Sequence, residues 1–71
     1  HRAPVGGVGA DALSKPVLLM FSEVVGEVVG VSEGEDGMTV TFESDRQFDD
    51  FQLVPSYHNG ELTCFGLVPG K

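Results

Sequence analysis

The stretch Met38-Thr39-Val40-Thr41-Phe42-Glu43 alternates apolar and polar residues without a break, the period of two that a strand with one buried face requires. Met38, Val40 and Phe42 point one way, and Thr39, Thr41 and Glu43 the other. Before it, Val24-Val25-Gly26-Glu27-Val28-Val29-Gly30-Val31 is rich in β-branched residues, and its glycines at 26 and 30 predict bulges or close backbone packing. Between the two runs lies Glu33-Gly34-Glu35-Asp36-Gly37, whose Asp-Gly pair supplies the positive φ of a hairpin loop.

The same reading extends to both sides. Leu13 to Val25 is ambiguous: Ser14, Pro16 and Gly26 would start and stop a helix, whereas Val17 to Phe21 is apolar all round and suits a strand. The strand is the expectation, with a short helix over 14–25 as the alternative. Ser44-Asp45-Arg46 is a tight connection, after which Gln47 to Val54 forms a further strand ending at Pro55. Phe48 and Phe51 are three apart, so they share a face only if the chain bulges or bends near Asp49-Asp50. Asn59-Gly60 then turns the chain into Glu61 to Val68, which Pro69 closes. Residues 1–12, with Gly6, Gly7, Gly9 and Pro4, have no sustained period and are expected to be a flexible arm ahead of one small β-domain over 13–71. The fold expected is mostly β, a small barrel of four or five short antiparallel strands.

Charge narrows the function classes. Of 71 residues, 11 are Asp or Glu and 4 are Lys or Arg, a formal charge of −7. Residues 23 to 50 hold nine acids against Arg46 alone, so that block carries −8. Binding to phosphates rests on Lys and Arg displacing counterions, so nucleic acid and anionic membrane are disfavoured as direct partners. The longest apolar run, Pro16 to Phe21, is far shorter than a bilayer span. A protein partner of basic or neutral surface fits the field better.

Chemistry-bearing patterns are sparse. Gly6-Gly7-Val8-Gly9 lacks the preceding strand and following Lys-Ser/Thr of a phosphate loop. Asp45, Asp49 and Asp50 do not have the spacing of a calcium loop, and His58 has no second ligand at metal spacing. No nucleophile, base and orienting acid occur in a recognisable arrangement, so neither catalysis nor a cofactor is expected. Cys64 is the only cysteine and lies in the apolar run Leu62-Thr63-Cys64-Phe65, where a core position and a reducing, cytoplasmic compartment are the expectation.

The order Gly26-Glu27-Val28-Val29-Gly30-Val31, an acidic turn, Val40-Thr41-Phe42-Glu43-Ser44-Asp45-Arg46-Gln47-Phe48 and Leu53-Val54-Pro55 resembles the SH3-like barrels of the Tudor and KOW kind. The likeness covers residues 25–55. For the Tudor kind it implies an aromatic cage in which Phe42 and Phe48 match the hairpin aromatics and Asp45 and Asp49 the acids beside them. The chain departs from that pattern in having no Trp and one tyrosine, Tyr57. For the KOW kind it implies RNA contact through basic loops, which the −8 block opposes.

The function expected is therefore a non-enzymatic protein-interaction module using an acidic face, Asp45, Asp49 and Asp50, with the aromatics Phe48, Phe51 and Tyr57. An open barrel edge would also accept a partner's strand, including that of a second copy, and the N-terminal arm could tether the domain or join an edge. Two further readings remain: an acidic inhibitor or nucleic-acid mimic blocking a basic site on an enzyme, and an accessory domain of a larger protein.

Overall fold

The computed structural model describes residues 1–6, 8–35 and 37–70. Six strands form one curled, barrel-like sheet: β1 (Arg2–Val5), β2 (Pro16–Leu19), β3 (Glu23–Gly34), β4 (Gly37–Glu43), β5 (Phe51–His58) and β6 (Glu61–Pro69). Their order is β1-β4-β3-β2-β6-β5. All neighbours are antiparallel except β2 and β6, which run parallel. A 3₁₀ turn, Ala10–Ala12, packs against β3 and β6 and buries Ala12 completely. Residues 14–25 form no helix, but two strands in place of the one expected: Pro16–Leu19, an apolar run with neighbours on both sides, β3 and β6, and the start of β3 at Glu23, with a turn over Met20 to Ser22 between them. Ser14 caps no helix. Its N–H instead donates to the Val28 carbonyl at 2.9 Å.

The long strand β3 owes its curvature to two bulges. Its register with β2 skips Val25, and its register with β4 skips Val29. Each extra residue bends the strand and breaks strict alternation. Val25 and Val28 are thus both buried, while Val24 and Val29 turn outward, 65 % and 45 % exposed. At Gly26 the β4 backbone comes so close that a Cβ would overlap the Glu43 carbonyl oxygen. The expected bulges and close approach are both present. On β4 the alternation appears as expected, with Val40 and Phe42 buried and Glu43 exposed. Of the Asp-Gly pair, Gly37 has φ +110, and Asp36 lies outside the described residues.

Several elements differ from the sequence reading. Arg2–Val5, expected in a flexible arm, pairs with β4 from Arg2↔Thr41 to Val5↔Met38. Joining an edge was the second option for that arm. Val5 is buried and Ala3 packs against the core, so apolar burial offsets the ordering of a segment with no visible period. The strand expected over Gln47 to Val54 begins only at Phe51, because Asp50 adopts φ +59 and bends the chain there. It does not end at Pro55 but runs on to His58. Strand β5 lies at the edge of the sheet, where a residue without an N–H is tolerated. The β2–β3 connection is a tight turn with Met20 at φ +53 and Phe21 at φ +58. The Ser22 N–H closes it on the Leu19 carbonyl at 3.0 Å. Asn59 and Gly60, at φ +51 and +81, form the hairpin turn their identities predict.

Cys64 does not join the buried core. The β5–β6 register skips Thr63, so Leu62 and Phe65 both point inward and Cys64, half-buried, does not. Among the described residues the core is wholly apolar, with Phe65, Val17, Val28 and Val40 its largest fully buried side chains. The edge strands β1 and β5 approach within 8 Å between Cα atoms but share no hydrogen-bonded register. Each carries a proline, Pro4 and Pro55.

Candidate functional site

A concavity lies across β3 and the end of β4, an open groove of about 1050 Å³. The two bulges of β3 shape it, because they leave Val24 and Val29 standing out on its wall. Glu27, Glu43 and Asp45 supply carboxylates along the same wall, and Phe42 and His1 reach it from one side. Glu27 and Glu43 are directly opposite in register. Residues opposite one another across two strands share a face, and like charges so placed repel. Among the described residues the only ion pair is Arg46 Nη1 to Glu23 Oε2 at 3.4 Å, so none of the three groove carboxylates is ion-paired there.

Beside the groove runs a row of rings. The His1 imidazole stacks on Phe42 with centroids 5.1 Å apart and meets Phe48 edge-on at 5.7 Å. Phe48 meets Phe51 edge-on at 5.7 Å, which the bend at Asp50 makes possible. The Arg46 guanidinium lies over Phe48, 5.4 Å from the ring centroid. The rings of His1, Phe42, Phe48 and Phe51 thus bridge from the start of β1 and the end of β4 to the start of β5. At the mouth of the seam between β1 and β5, a smaller recess of about 350 Å³ is lined by Arg2, Pro4, Asp50 and Phe51, among others.

The six residues expected to bind a partner are not one surface. Phe48 and Phe51 are together, half-buried and 38 % exposed respectively. Tyr57 is six residues further along β5 than Phe51, roughly 20 Å at the rise of an extended strand. Asp45 lines the large groove, Asp50 the seam recess, and Asp49 neither. The Asp50 carbonyl accepts the Gly70 N–H at 2.7 Å, so that residue also pins the C-terminal end. Sequence reasoning missed Val24, Val29, Glu27 and Glu43. Their common face depends on counting two bulges, which the glycines at 26 and 30 signal but do not place.

Phe42, a candidate cage wall by resemblance, is only 2 % exposed and belongs to the core. Phe48 already carries the chain's own Arg46. Among the described residues no group of three His, Cys, Asp or Glu side chains is arranged to hold a metal ion. No helix is long and apolar enough to cross a membrane. Comparison of the chain with protein-family models, with curated proteins and with solved structures finds no match.

Proposed function

We propose that this chain is a non-enzymatic protein-interaction module, an SH3-like barrel of the Tudor or KOW kind, that receives a basic or neutral protein partner in the β3–β4 groove. The observation that carries this reading is the pair of outward valines, Val24 and Val29, standing beside carboxylates that form no ion pair among the described residues. Exposed apolar side chains next to unpaired charge are a poor arrangement for solvation alone and a good one for a partner that offers both contacts. The hairpin of β3 and β4 supports the barrel kinship, since it carries Gly26 to Val31 and Val40 to Glu43 of the residues in which the resemblance lies. The lone Cys64, unpaired in the fold, suits a reducing compartment such as the cytoplasm.

Selection of short random peptides on the purified protein tests this. Binders should weaken roughly tenfold on a Val24→Ser/Val29→Ser double variant, whose changes fall on exposed positions that the fold does not need. Failure to select any peptide, or binders indifferent to both valines, would overturn the reading. An acidic inhibitor acting through charge alone belongs to that second outcome.

A further inference from the structure

Resting on that placement of the binding site, we infer that the occupant is an extended basic segment that carries Lys or Arg and small apolar residues on one side of the strand. Its cations lie among Glu27, Glu43 and Asp45, and its apolar side chains lie on Val24 and Val29. Charge complementarity decides the class. Glu27 and Glu43 face each other across the ladder with no ion pair to either among the described residues, and a Lys or Arg entering the groove converts that repulsion into attraction. The chain shows on the neighbouring surface how it receives a guanidinium: Arg46 lies over the Phe48 ring and reaches Glu23 at 3.4 Å. A second copy is a poor occupant, because each carries −7 and the groove would face like charge. Both kinds of contact lie on one wall, and an extended segment turns alternate residues to the same side, so Lys and apolar residues two apart reach that wall together.

The test is an NMR amide-shift titration of the full chain with a capped peptide repeating Lys-Lys-Val-Val, in which each side of the extended segment carries both residue types. Parallel titrations use its Glu-Val and Lys-Ser counterparts and calcium chloride alone. The Lys-Val peptide should give saturable shifts over residues 24–29 and 41–45, with binding about tenfold tighter than for either counterpart. A Glu43→Gln/Asp45→Asn variant, both positions being exposed, should weaken it about tenfold while the remaining spectrum keeps its dispersion. The inference fails if the Glu-Val or Lys-Ser peptide binds as tightly, if calcium chloride alone gives the same shifts, or if the variant binds unchanged. Its failure is distinct from that of the module reading. Selected peptides that need both valines but carry no excess of Lys or Arg sink this inference and leave the module standing, whereas peptides indifferent to the valines sink both.

Discussion

Glu27 on β3 and Glu43 on β4 stand directly opposite one another, two carboxylates on one face with no basic side chain of the described residues in ion-pair reach. The arrangement costs stability, since like charges in register are unfavourable by a few tenths of a kcal/mol to about 1 kcal/mol. A Glu27→Lys substitution should therefore raise the stability of the isolated protein by about 0.5 kcal/mol, seen as a rise of a few degrees in Tm. The same change should weaken binding of a basic peptide. Gain of one with loss of the other is the pattern expected where surface charge serves a partner. Thermal unfolding and peptide titration on one variant measure both.

Gly26 makes the β3–β4 approach possible. A Cβ there would overlap the Glu43 carbonyl oxygen, a backbone atom that moves only if the two strands separate. Gly26→Ala should cost about 3 kcal/mol, a large share of the stability of so short a chain, measured by denaturant unfolding. Gly30→Ala, whose Cβ would meet only the Thr41 side chain at 3.8 Å, should cost far less.

The ring of Phe21 covers Gly66, and a Cβ at residue 66 would run into it. Here the obstacle is a side chain that is 45 % exposed and has room to swing away. Gly66→Ala should cost about 1 kcal/mol in the parent and clearly less in a Phe21→Ala background. Additive costs in the double-mutant cycle would show that ring and glycine do not meet in solution.

How far these contacts were legible in the sequence depends on range. The alternation from Met38 to Glu43, the Asn59-Gly60 turn and the bend between Phe48 and Phe51 are set by neighbours a few residues away. Each is visible in the residue types. The parallel pairing of β2 with β6 and the docking of Arg2–Val5 on β4 join distant segments, and neither leaves a periodic mark. The turn at Met20-Phe21 was hidden for a different reason. Its two positive φ values fall on residues that disfavour them, so the apolar run read as unbroken strand. Tyr57 and Phe48 were grouped by type, and the length of β5 separates them.

Pro55 has a negative role that can be tested. It interrupts the donors of edge strand β5, as Pro4 does those of β1. Restoring an N–H with Pro55→Val should increase edge-to-edge pairing, detected as a concentration-dependent shift to larger species in size-exclusion chromatography. An unchanged elution position across concentrations would show that the edge is protected by something other than the proline.

The groove as the binding face is the central claim, and an amide-shift map of the full chain with the tightest selected peptide tests it most directly. The largest shifts should fall in residues 24–29 and 41–47, with the β5–β6 turn at Asn59-Gly60 unmoved. Shifts centred on Tyr57 to Glu61, or on the seam between Arg2–Val5 and the start of β5, would contradict it.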